Sequence, residues 1–159
     1  MIIRFAIDAD TPGIHHLLSQ VLELHAAGRP DIFRAGTRKY TDEQIHELIA
    51  DEDQPLFVAV EEDAAPGELL AYAICKIEDF SGSNNSQPIR MLYIDDFVVD
   101  ETARGRHIGT ALFEHVKDWA REQGFYNVTL NVWECNPGGR AFYEAMGMKV
   151  QKTVMEVIL

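Results

Sequence analysis

Apolar and polar positions along the 159-residue chain follow two periods, two residues and about 3.6, and their succession predicts the elements. Ile2 to Ile7 reads as a strand, and Asp8-Ala9-Asp10-Thr11-Pro12 then supplies capping oxygens and an early proline for a helix start. Ile14, Leu17, Leu18, Val21, Leu22 and His25 recur at helical spacing to about Ala27, where Gly28-Arg29-Pro30 stops the helix. A second helix is expected from Thr41 or Asp42 to Ala50. Two strands follow, Pro55 to Glu61 and Leu69 to Ile77, and the polar stretch Ser81 to Ser86 reads as a flexible hairpin tip. Met91 to Val99 is a further strand, rich in β-branched and aromatic residues. Ile108, Ala111, Leu112, His115, Val116, Trp119 and Ala120 mark an amphipathic helix ending near Gly124. Val128 to Trp133 reads as a strand, Asn136-Pro137 opens a helix closed by Gly147, and Met148 to Ile158 is strand-like. The order mixes hairpins with crossover helices, which predicts an α/β (α+β) domain over residues 1–159: one mixed sheet with helices on its faces.

Composition narrows the classes. An apolar content of 47% is ordinary for a globular domain, so a formal charge of -12 does not mean disorder. The longest apolar run, Leu69 to Cys75, falls far short of the ~20 residues of a membrane-spanning helix, and Met1-Ile2-Ile3-Arg4 does not begin a signal peptide. Cys75 and Cys135 lack zinc-site spacing and fit a reducing cytoplasm. Nucleic acid is excluded as a partner by the net charge, and the histidines His15, His16 and His25 have no ligand spacing, so no metal is expected. The charge is also uneven. Residues 1–100 carry 19 acids and 7 bases, whereas residues 101–159 carry 7 of each.

The stretch from Val98 to Thr110 carries the most chemistry. A strand ends, a short loop with Arg104, Gly105, Arg106 and His107 follows, and a long helix begins near Ile108. Free N–H groups at a helix start, flanked by arginines, suit a pyrophosphate, and glycines permit close backbone approach. The same residues also read as an ordinary strand-to-helix turn with solvated arginines.

Tyr93-Ile94-Asp95-Asp96-Phe97-Val98-Val99, then Arg104-Gly105-Arg106-His107-Ile108-Gly109, then Asn136 and Phe142-Tyr143 before Gly147, resemble the GCN5-related N-acetyltransferases. The resemblance implies a largely antiparallel sheet of six or seven strands flanked by about four helices, and acetyl-CoA as co-substrate. It assigns Phe97, Val98 and Val99 to pairing with the pantetheine arm in a splay of the sheet, with the Val98 N–H at the reacting carbonyl oxygen. Gly105 to Thr110, with Arg104 before them, would hold the pyrophosphate. His107 replaces a signature glycine, which is tolerable if its backbone is helical. Asn136, with Gly138 and Gly139, is a second cofactor contact, an N-cap, or both.

By the same resemblance Tyr143 is the acid that protonates the departing CoA thiolate, and Asp95 is the base or ammonium-binding group. Strand alternation places Asp95 on one face with Tyr93 and Phe97 and turns Asp96 away. Glu134 is the alternative base. His25, Arg29 and Phe33, after the first helix, join Tyr93 and Glu134 as acceptor-pocket candidates, or else form a solvated connection. The implied activity is acetyl transfer to a small cationic amine or a peptide amine. The alternatives are a non-catalytic CoA-binding domain of the same fold, another acyl donor, or a protein amine as acceptor. A homodimer through an edge strand or the C-terminal segment is also implied. The acidity of residues 1–100, which hold the acceptor side, favours a cationic acceptor.

Overall fold

The computed structural model describes residues 1–159. The elements are β1 (Ile2–Phe5), a one-turn 3-10 helix (Asp8–Asp10), α1 (Thr11–Gly28), α2 (Asp42–Ala50), β2 (Leu56–Val60), β3 (Ala71–Asp79), β4 (Arg90–Val99), a second 3-10 turn (Glu101–Ala103), α3 (Ile108–Glu122), β5 (Asn127–Leu130) and α4 (Pro137–Ala145). The sheet runs in the order β1-β2-β3-β4-β5, antiparallel up to β4 and parallel between β4 and β5.

Five strands replace the six or seven expected. Met148 to Ile158, apolar enough for a strand, pairs with nothing, and Val150, Val154, Met155, Val157 and Ile158 are exposed. Strand structure needs a hydrogen-bonding neighbour as well as β-forming side chains, and composition supplies only the second. The segment is tied instead through Glu156, whose carboxylate accepts from Arg29 at 2.6 and 3.1 Å. β1 also stops early. The Ile7 N–H donates to the Asp10 carboxylate (2.9 Å), which in turn takes two bonds from Arg4 (2.7 and 3.0 Å).

β2 and β3 are covered on both faces, which explains their unbroken apolar runs. Phe57, Ala59, Ala71, Ala73 and Cys75 pack with Leu112, Phe113 and Val116 of α3. Leu56, Val58, Val60, Tyr72 and Ile74 face Ile14, Leu17 and Leu18 of α1 and Ile45 of α2. Each large apolar side chain so buried contributes about 1.5–3 kcal/mol. No helix is long and apolar enough to cross a membrane.

Candidate active site

The parallel pairing of β4 with β5 ends at Ile94 opposite Leu130, so Asp95 to Val99 have a strand neighbour on the β3 side alone. Which backbone groups line the open edge follows from the ladder. In β3 the N–H groups of Cys75 and Ile77 donate toward β2, to Pro55 (2.9 Å) and Asp53 (2.8 Å). Alternation therefore points Tyr72 and Ile74 at β4, and their partners Val98 and Asp96 point back at β3. The N–H expected at Val98 for the reacting carbonyl is thus turned into the sheet. Phe97 and Val99 present their backbone groups to the opening.

A bulge resets the side chains. Ile74 pairs with Asp96 and Cys75 with Ile94, which leaves Asp95 as an extra residue in β4. Leu92 and Ile94 belong to the α3 side of the core, as do Phe97 and Val99, whereas Val98 lies on the α1 side. Asp95 is therefore not on the face of Phe97 but shares the opposite face with Asp96. Both carboxylates meet one ammonium: Lys39 Nζ is 2.9 Å from Asp95 Oδ2 and also contacts Asp96 Oδ2. Burial pushes the Asp96 carboxyl above the ordinary carboxylate range, and the Lys39 charge pulls the other way. Tyr40 stands beside the pair, its hydroxyl 3.5 Å from Asp95, and Tyr93 accepts a bond from the Asn131 amide at 3.0 Å.

At the other end of β4, Asp100 anchors the turn into α3. Its carboxylate accepts from the Thr102 N–H at 2.8 Å and from Gln20 of α1 at 3.2 Å. Gly105 has φ +77° and His107 φ +61°, so the condition of a helical backbone at His107 is not met in its right-handed form: the position is left-handed, the region a glycine occupies without strain. His107 caps α3 without any side-chain bond, and the first helical N–H bound to its carbonyl is that of Ala111 (3.0 Å). The N–H groups of Ile108, Gly109 and Thr110 are left without intrahelical carbonyls and fit an anion. A Cβ on Gly109 would stand 3.2 Å from Val99 and 3.5 Å from Phe142, so glycine allows α3, β4 and α4 to converge. Arg104 is exposed beside this turn, whereas Arg106 is engaged by Glu61 at 2.5 Å.

α4 forms the other wall. Asn136 caps it, its side chain accepting from the Gly139 N–H at 3.0 Å, with Pro137 in the first turn. Cβ atoms at Gly139 would collide with that side chain at 2.7 Å, while Gly138 is open. Phe142 stacks on Phe97 (5.8 Å between centroids), and Tyr143 meets Phe97 (6.2 Å) and Phe113 (6.1 Å) edge-on or tilted. Burial, reinforced by the Asp96 charge, pushes the Tyr143 phenol up to about 12.

Of the acceptor-side candidates, His25 and Phe33 come together (5.0 Å), and both meet Trp133, at 6.3 and 5.1 Å. Arg29 reaches the same indole but is bound to Asp31 and Glu156. Glu134 projects into solvent, 94% exposed and 3.4 Å from Arg140, so the structure does not bring it to Asp95. The residues missed from sequence are Lys39, Tyr40 and Trp133. No local motif marks them, and Lys39 joins Asp95 across 56 positions. A separate depression of about 570 Å³, lined by Pro12, Glu61, Asp63 and Asp100 among others, holds none of the expected residues.

Comparison with known proteins places this arrangement. The family model "Acetyltransferase (GNAT) family" matches residues 18–148. Glucosamine 6-phosphate N-acetyltransferase 1 of rice (Oryza sativa subsp. japonica) is 35% identical over 97 residues, which cover 61% of this chain and 54% of the rice protein. The chain thus spans about half the length of that relative. The BH1408 protein of Bacillus halodurans, solved as a tetramutant, superposes with a TM-score of 0.93 at 30% identity over 100% of both chains. The glucosamine-6-phosphate N-acetyltransferase of Arabidopsis thaliana gives 0.71 at 25% identity, over 99% of this chain and 97% of its own. With its phosphate-suited turn, its open β4 edge and a model match over most of its length, the chain belongs to the GNAT family of acetyltransferases.

Proposed function

We propose that the chain transfers the acetyl group of acetyl-CoA to a primary amine by direct attack in a ternary complex. The observation that carries this reading is the gap beyond Ile94 and Leu130, with anion-suited N–H groups at one end, a protonated tyrosine on one wall and paired carboxylates on the other. When bound, acetyl-CoA supplies an activated thioester. Ile108 to Thr110 with Arg104 would hold its pyrophosphate, and the open edge at Phe97 and Val99 would pair with its pantetheine amides.

Asp95, with Asp96, binds the ammonium of the acceptor and passes its proton to water, since a carboxylate is a poor direct base for an amine. The nitrogen–carbon bond forms as the carbon–sulfur bond breaks. The Phe97 N–H, on the open edge, would donate to the carbonyl oxygen as that oxygen gathers charge. Tyr143 donates a hydrogen bond to the leaving sulfur. Its phenol holds its proton at neutral pH, yet complete transfer to a thiolate of pKa about 8.5 runs uphill. The proton that ends on sulfur is therefore balanced by the one released from nitrogen.

For the acceptor, a small cationic or peptide amine fits the carboxylate pair. An amine that also bears a phosphate is the second reading. It is favoured by the glucosamine 6-phosphate relatives and by the segment 29–40, which carries four bases (Arg29, Arg34, Arg38, Lys39) against one acid. Thiol release from acetyl-CoA, screened with glucosamine 6-phosphate, glucosamine, spermidine, an aminoglycoside and a basic peptide, tests both. Release with at least one amine is expected. Binding of acetyl-CoA with release from none would leave a non-catalytic CoA-binding domain.

A further inference from the structure

The acceptor side of the gap already holds a primary ammonium. Lys39 Nζ touches both Asp95 and Asp96 and stands 5.1 Å from the centroid of the Tyr40 ring, within range of a cation–π attraction. A second, independent feature points at the same spot. The Tyr72 hydroxyl is wholly buried and has no hydrogen-bond partner, and the ionisable groups acting on it are Asp96, Tyr40 and Asp95. Register places Tyr72 opposite Val98 and Ile74 opposite Asp96, so Tyr72 and Asp96 lie on one face of adjacent strands. The bulge adds Asp95 to that face.

An exposed lysine–aspartate pair is ordinary, but three observations set this one apart. One ammonium serves two neighbouring carboxylates. The Asp96 side chain is only 10% exposed, so its charge needs a cation beside it. Lys39 itself comes from the stretch between α1 and α2, which is neither helix nor strand, so its head group can leave without unravelling an element. The occupant, an alkylammonium, is also the chemical group that an amine acceptor brings.

We propose that Lys39 is an internal stand-in for the acceptor, its ammonium filling a subsite formed by Asp95, Asp96, Tyr40 and Tyr72 that an incoming primary ammonium must take over. This inference rests on the amine-acetyltransferase reading of the same site. Its consequence is selectivity. A simple monoamine must compete with a tethered copy of its own head group, and its apparent affinity falls by the fraction of molecules in which Lys39 has left. An acceptor that also carries an anion gives the displaced Lys39 a new partner, beside Arg34 and Arg38.

Calorimetric titration of the full chain with n-propylammonium chloride tests the subsite without turnover. Lys39→Met is expected to bind n-propylammonium about tenfold more tightly than the unaltered protein, as if only about one molecule in ten had been open. Lys39→Arg should stay as weak as the unaltered protein, and adding Asp95→Asn to Lys39→Met should remove the gain. In kinetics the same change appears in the acceptor KM and not in kcat. Equal or weaker n-propylammonium binding by Lys39→Met, at unaltered melting temperature and acetyl-CoA affinity, would overturn the proposal. Should Lys39→Met melt early, the unaltered protein labelled with ¹³C-lysine decides. The Lys39 Cε resonance must move on addition of n-propylammonium, and a resonance that stays in place refutes displacement. Thiol release from acetyl-CoA is measured separately, so its failure would sink the enzymatic reading while leaving the n-propylammonium result to stand or fall alone.

Discussion

Residues 1–125 and 126–159 are built differently. All 32 buried residues lie in the first stretch, the last being Phe125; β5 is half-buried throughout and α4 buries nothing fully. Yet the proposed site draws on both. Asp95, Asp96, the open β4 edge and the α3 N-terminus belong to the packed stretch, whereas Asn136 and Tyr143 stand on the loose one. The lesson is that one wall of the gap is fixed by the core and the other is held by a few aromatic contacts, chiefly Phe142 and Tyr143 on Phe97 and Phe113. With no fully buried residue, the α4 wall has few apolar contacts to lose on opening, and low local stability follows.

The contrast is sharpest in stability. Leu112→Ala, in the packed half, should cost about 2–5 kcal/mol in urea unfolding, whereas Val128→Ala, on half-buried β5, should cost under about 1 kcal/mol. Equal losses would erase the distinction. Next in size is Tyr143→Phe, expected to lower kcat about a hundredfold, or about 2.7 kcal/mol, with the acetyl-CoA Kd unchanged. In the proposed mechanism the neutral phenol is the working form, so the tyrosine itself should bring no alkaline loss of kcat below about pH 11, one unit under its raised value. An alkaline fall near pH 9 that disappears in Tyr143→Phe would contradict that assignment. A gain in place of a loss belongs to the turn. His107→Gly relieves a left-handed backbone and should stabilise the protein by about 1 kcal/mol, read as a higher melting temperature.

The sequence is most legible where the physics is local or periodic. Unbroken apolar runs at Leu56–Val60 and Ala71–Cys75 mark strands covered on both faces, and Asn136-Pro137 marks a helix start whose cap geometry the structure bears out. Non-local physics was not legible. The bulge at Asp95 breaks the simple alternation of side chains along β4, and pairing with β3 is what decides which way Asp95 faces. Likewise Met148 to Ile158 has strand-forming side chains but no strand to pair with. Charge misleads in a similar way. Residues 1–100 are acidic in sum, but four of their seven bases sit in the one segment that reaches the carboxylate pair. A sum over the chain carries no position, and screening confines each charge to its neighbours.

The central claim is that the gap between β4 and β5 receives acetyl-CoA and ties the loose wall to the packed one. Hydrogen–deuterium exchange with and without acetyl-CoA tests it most directly. Protection is expected at Phe97 to Val99, at Arg104 to Thr110 and, most strongly, over Asn136 to Tyr143. Protection confined to the depression around Glu61 and Asp100, or none at saturating acetyl-CoA, would contradict it.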